Sequence, residues 1–250
     1  MQLPSDKQSM SVNHILCPIC HAENSALDYR CMKCGAFIQD RVPAVDLFAT
    51  IFQLFENPRA AFMRIARSEQ KNYTYTLFFF SGYALSAIIA MIGRLGNEEM
   101  NFIILLGLFI LCAPVAGLVL MPCISTLAFF LLKYFWQAPV SFRNVSMMLA
   151  YSMIPIVISS VFVLPVEFAL FGNYLFSDNP APWIFKPTEF YLLASIDIIA
   201  TGWSIFLVTL SFRSVYSLRL VKSIVTTLFI TTTLIVALFL LGNVLRSMLS

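Results

Sequence analysis

FIILLGLFILCAPVAGLVLMPCISTLAFFLL, residues 102–132, carries no charged side chain over its whole length. A hydrocarbon core of about 30 Å needs roughly 20 apolar residues to cross as a helix, and this run exceeds that. Lipid offers no partner to a loose backbone, so a spanning segment is either a helix or part of a closed barrel. Barrel strands are short and alternate apolar with polar residues; this run does neither. It reads as a membrane helix. Pro114 and Pro122 predict a kink or tilt that carries it past the membrane surface. A hairpin within the run, giving six spans in all, is the competing reading.

Four more apolar segments lie around it, at about 74–93, 145–171, 190–210 and 223–241, the third having its surest part before Leu164. The whole chain of 250 residues is 59% hydrophobic and only 12% charged, with 24 phenylalanines. Its mean hydropathy is +0.82, a balance that soluble domains rarely approach. The predicted class is an all-α membrane protein of five transmembrane helices over 73–250. A small cysteine-rich head and amphipathic interfacial helices precede them. Cys112 and Cys123, inside the second apolar run, are expected to be ordinary buried residues.

Lys and Arg set the expected orientation. With the N-terminus inside, the inner segments hold Arg59, Arg64, Arg67, Lys71, Lys133, Arg143, Arg213, Arg219 and Lys222, whereas the outer ones hold Arg94, Lys186 and Arg246. Nine against three predicts a cytoplasmic N-terminus and a C-terminus outside. The polar start MQLPSDKQSM, without an apolar signal core, agrees. The outer loop 172–189 is rich in Pro and aromatics, with Trp183 and Tyr191 expected near headgroup level.

One residue stands out inside the spans. Asp197 lies eight residues into the fourth, and a carboxylate there is costly unless protonated or paired. It is expected to face the bundle, with Thr201 and Ser204 on its side of the helix. Two readings stay open: a polar cavity or ion route in a small transporter, channel or lipid-handling protein, or a hydrogen-bonded helix lock. Glu167, just after Pro165, is expected at headgroup depth.

Ahead of the spans, Leu47, Phe48, Ile51, Phe52 and Phe55 recur at helical spacing. Asn57-Pro58 then supplies an N-cap and a favoured first helical residue. A second helix should run to about Ser68, apolar at Phe62, Ile65 and Ala66 and basic at Arg59, Arg64, Arg67 and Lys71. The stretch 44–72 is thus expected to lie at the membrane interface, its basic side chains snorkelling to anionic headgroups.

The head, 14–41, follows a stretch 1–13 expected to be flexible. CPICHAENSALDYRCMKCG places Cys17 with Cys20 and Cys31 with Cys34 in two Cys-x-x-Cys knuckles ten residues apart. That is the ligand pattern of one structural zinc ion in a zinc ribbon, with no open position for catalysis. Metal binding would supply the folding energy that so small a unit lacks. Disulfides are the alternative; His14 or His21 replacing one Cys is a further one. The head's Arg30, Lys33 and Arg41 balance Glu23, Asp28 and Asp40, and the net charge of the chain is only +3. Neither supports nucleic-acid binding. A protein partner, or a second copy of the chain, is expected alongside membrane lipid; no small-molecule substrate can be named. HExxH, GxSxG and Walker-type motifs are absent, and both histidines lie in the head, so no enzyme activity is expected.

Three stretches carry a resemblance: ENPRAAFMRIA before the first span, LAYSMIPIVISS in the third, and GWSIFLVTLSFRSVYSLRLVKSI across the end of the fourth. In this order the sequence resembles the Yip1 domain family of small five-span membrane proteins over about 47–242. The matching positions are Asn57, Pro58, Tyr151, Pro155, Trp203 and the run to Lys222. The resemblance implies a non-enzymatic protein. For eukaryotic relatives it implies Golgi and endoplasmic-reticulum membranes, Rab GTPases and vesicle traffic, but their Asp-Leu-Tyr-Gly-Pro type of motif is missing here. A zinc ribbon ahead of the domain looks more like bacterial members, which implies the bacterial inner membrane. The expected function is a membrane protein whose cytoplasmic ribbon recruits or organises a protein partner, as an accessory subunit of a membrane complex.

Overall fold

The computed structural model describes residues 14–25, 27–38, 44–97 and 101–249. The expected flexible stretch 1–13 lies outside the described residues, as do positions 39–41 of the head. Two short strands, β1 (His14–Leu16) and β2 (Glu23–Ser25), pair antiparallel with His14 opposite Ser25. They are followed by α1 (Leu47–Glu56), α2 (Pro58–Arg67), α3 (Thr74–Gly93), α4 (Phe102–Phe130), α5 (Phe142–Ser152), α6 (Ile154–Phe171), a single turn α7 (Pro182–Phe185), α8 (Pro187–Val215) and α9 (Leu220–Leu249). Five helical stretches are long and apolar enough to cross a membrane: Thr74–Gly93, Phe102–Phe135, Phe142–Phe176, Pro187–Val215 and Leu220–Met248. The chain is an all-α membrane protein with a small four-cysteine unit at its N-terminal end.

The second stretch stays one helix through both prolines and ends in a π-helical turn, Leu131–Phe135. Pro114 cannot donate to the carbonyl of Ile110. The Tyr83 hydroxyl reaches that carbonyl instead, at 3.5 Å, which is how lipid-embedded helices tolerate proline. Cys112 and Cys123 correct the expectation of burial: both are exposed on the chain's own surface, where lipid rather than protein covers them. The third stretch is broken at Met153, because Pro155 lacks the N–H a continuous helix needs there and its ring crowds the carbonyl four residues back. Ser141 caps α5, its Oγ accepting the Asn144 N–H at 3.3 Å.

The helix α3 is the hub, packing against α4, α6 and α9. Against α4 the backbones nearly touch. A Cβ on Gly82 would fall 2.1 Å from the Ala113 carbonyl oxygen, and one on Gly117 would fall 2.0 Å from that of Phe78. Only glycine permits this approach, a recurrent solution where apolar burial cannot drive helix association.

In the neck, the apolar face of α2 is covered by protein: Ala61, Phe62 and Ile65 are fully buried, Ala66 nearly so, and the helix packs between α5 and α8, with Arg59 and Arg64 exposed on its other side. Ser68, at its end, donates to the Ile65 carbonyl at 2.8 Å and sits against the Met147 sulfur. Exposed aromatic side chains belong instead to α1, at Phe48, Phe52 and Phe55. As expected from Asn57-Pro58, the Asn57 side chain accepts the Ala60 N–H and Pro58 opens α2.

Two apolar cores result. One gathers the neck, α5 and the neighbouring ends of α3, α4, α8 and α9 around Tyr151, Met147 and Phe212, with Leu27 of the head packed against it. The other, at the far end of the bundle, is built on Phe109, Phe168 and Phe176, whose ring centroids lie 5.1–6.0 Å apart. That end is latched by Asn97, which accepts from Ser177 Oγ at 2.7 Å and donates to Asp178; Arg94 pairs with the same carboxylate. The outer loop is therefore packed, with Leu175, Phe176 and Ala181 buried.

Candidate functional site

The head repeats one small device twice. In the first knuckle the Cys17 N–H donates to Ala22 O (3.0 Å), and the His21 N–H to Cys17 O (3.0 Å). In the second, the Cys31 N–H donates to Ala36 O (2.8 Å) and the Gly35 N–H to Cys31 O (2.9 Å). His21 (φ 52°) and Gly35 (φ 72°) both take the left-handed backbone that closes each knuckle. Amide hydrogens then point at sulfur: Ile19 N–H to Cys17 Sγ and Lys33 N–H to Cys31 Sγ, each 3.4 Å.

All four sulfurs lie within 4.8 Å of one another. Cys17 and Cys34 are 3.6 Å apart, Cys20 and Cys31 3.5 Å, far beyond the ~2.05 Å of a disulfide. They are close to the edges of a sulfur tetrahedron around an ion at about 2.3 Å. The cluster could hold a metal. The only candidate ligands it gathers among the described residues are these four cysteines; neither histidine joins them. The N–H of Cys34, with that of Lys33 behind it, holds the Cys31 thiol down at about 6 against the opposing effect of burial. Cys34 has an N–H from Ala36, but the sulfur of Cys20, then burial and the other two sulfurs, push it up to about 12. Four crowded sulfurs resist losing their last proton unless a cation shares the charge.

Asn24 is the residue the sequence did not disclose. It is buried, its Nδ2 lies 3.5 Å from Cys31 Sγ, and its Oδ1 accepts the Met32 N–H at 2.9 Å. It ties β2 to the second knuckle and steadies a ligand sulfur from outside the first coordination sphere.

A second site lies within the membrane-spanning bundle. Between the two apolar cores, α3, α6, α8 and α9 enclose a cavity of about 410 Å³. Asp197 faces it, as expected, and accepts a hydrogen bond from Ser159 on α6. Glu167, near the end of α6, is 8% exposed and lines the same cavity as Asp197. Thr201 and Ser204 also line it. Glu167 could not be found from spacing, because α6 and α8 meet only in the tertiary structure.

The residues that line this cavity, from Ser81 to Leu238, fall within residues 52–242, which match the family model described as the Yip1 domain. The chain belongs to the Yip1 family. No curated protein and no solved structure shows significant similarity to it. The Yip1 region takes in α2 and all the cavity-lining residues, whereas the four cysteines lie ahead of it. Two of the positions that carried the resemblance make packing contacts: the buried Tyr151 hydroxyl donates to Asn72 O at 3.3 Å, and Trp203 stacks on Phe55 with centroids 6.4 Å apart.

Proposed function

We propose that this Yip1 protein is a non-enzymatic membrane organiser whose cytoplasmic head, folded around one structural zinc ion held by Cys17, Cys20, Cys31 and Cys34, recruits a protein partner. Four thiolates in a tetrahedral arrangement suit zinc better than a hard cation. The observation that carries the reading is what the knuckles display. Ile19 and Met32, the middle residues of the two Cys-x-x-Cys loops, are 70% and 87% exposed. Apolar tips on a metal-stiffened platform, next to the exposed Leu16 and Phe37, suit a protein surface, and Met adapts to varied partners. The near-neutral head gives no footprint for nucleic acid. In this reading the head and the N-terminus face the cytoplasm of a bacterial cell and the C-terminus lies across the inner membrane; the excess of Lys and Arg on the inner segments supports the orientation.

The test is native mass measurement of the full chain solubilised in mild detergent. The wild type should carry one zinc per chain and the added mass of a partner protein. Ile19→Asp with Met32→Asp should keep the zinc and lose the partner. Wild type and variant both running as the bare chain, or both keeping the same added mass, would refute recruitment by the head.

A further inference from the structure

The cavity between α3, α6, α8 and α9 has a donor set and a size that the head does not explain. Its described lining includes two carboxyl groups, Glu167 and Asp197, and no basic side chain. Two carboxyls lining one cavity of a membrane-spanning bundle need a shared cation or a proton, since lipid supplies no water to screen them. A bare metal ion fits poorly. Divalent cations gather six or more oxygens, carboxylates, carbonyls and water foremost, yet beside the two carboxyls the described side-chain lining offers only the hydroxyls of Ser81, Ser159, Ser160, Thr201, Ser204 and Thr231. The space, about 410 Å³, is that of an organic molecule, for which sites run from roughly 300 to 1,000 Å³.

A second observation points to an occupant. Ser204 lines the cavity and is completely buried, and its Oγ has no hydrogen-bond partner among the described residues. It lies seven residues beyond Asp197 on α8, about 10 Å along the helix. The lipid side is open to an apolar body: Ile198 and Ile235 line the cavity and are 72% and 59% exposed.

We propose that this cavity binds an amphiphilic ammonium: one positively charged amine seated between Asp197 and Glu167, on an apolar body whose polar atom meets Ser204. Two sources share this chemistry, an aminolipid of the bilayer and a free lipophilic amine. An ammonium offers three donors and no acceptor, which matches the two carboxyls; the rest of the lining is mostly apolar, with hydroxyls at Ser81, Ser159, Ser160, Thr201, Ser204 and Thr231.

Dansylcadaverine, a primary amine joined by a pentyl spacer to an apolar sulfonyl-bearing ring, is the probe, and its N-acetyl derivative is the neutral control. Fluorescence titration of the full-length protein in a neutral detergent should give saturable binding of the amine, about tenfold or more tighter than the control. Asp197→Asn and Glu167→Gln should each weaken it about tenfold, and Ser204→Ala about threefold. Phosphatidylethanolamine, but not phosphatidylglycerol, should displace the probe if the occupant is an aminolipid; displacement by neither identifies a free amine. Equal binding of charged and neutral probes, or unchanged binding in the carboxyl variants, overturns the proposal. Should those variants fail to fold, Ala194→Phe, which fills the cavity without altering a carboxyl, decides: retained binding overturns it, loss supports it.

Discussion

Lys71 closes the C-terminus of α2, its Nζ donating to Ile65 O (2.9 Å), Ala66 O (3.1 Å) and Ser68 Oγ (3.3 Å). Cations are favoured at helix C-termini, but this one is largely enclosed. Burial first, then the charge of Arg143, push its amine down to about 8 from the ordinary 10.5. Between those values the unfolded chain binds more protons than the folded one, so stability rises with pH across the window and levels off above it. Melting in detergent from pH 7 to 11 should show that rise in the wild type and a flatter curve in Lys71→Met. In the head, Asn24→Ala should lower metal affinity about tenfold or more, read by competition with a chelator, with all four cysteines intact. The cysteines were legible because ligand spacing is local: two residues fix each knuckle. Asn24 and Glu167 were not, since each acts on a group that only pairing of strands or crossing of helices brings near.

The helices α3 and α4 depend on a contact that tolerates no side chain. Gly82→Leu or Gly117→Leu places carbon against backbone that cannot rotate away, and should cost about 3 kcal/mol or more, measured as a fall in detergent melting temperature. Gly107, with nothing near its ideal Cβ, is the control. For α2, Phe62→Ala removes a fully buried ring and should cost about 3–5 kcal/mol while leaving the membrane stretches inserted. The apolar runs announced the spanning helices, for lipid demands greasy residues on every face. Amphipathic α2 was harder to read. A stripe of Phe62, Ile65 and Ala66 suits a bilayer surface and a protein groove alike, and sequence periodicity does not say which of the two covers it. The break at Met153 was foreshadowed by Pro155, yet the burial of α5 from Val145 to Ser152 follows from neighbours distant in sequence.

At the scale of the whole molecule, the described residues hold five helical stretches able to cross a membrane, and the proposed topology sets a cytoplasmic head against a C-terminus on the other face, as the excess of Lys and Arg favours. A membrane-impermeant maleimide should therefore reach the head cysteines of metal-stripped protein in inside-out vesicles and miss them in right-side-out ones. Cys112 and Cys123, inside the apolar stretch, should stay unlabelled in both. Wedging of α2 between α5 and α8 has a mechanical corollary. Because α2 packs on α8, the helix that bears Asp197, the neck that follows the cysteine head leans directly on one wall of the intramembrane chamber.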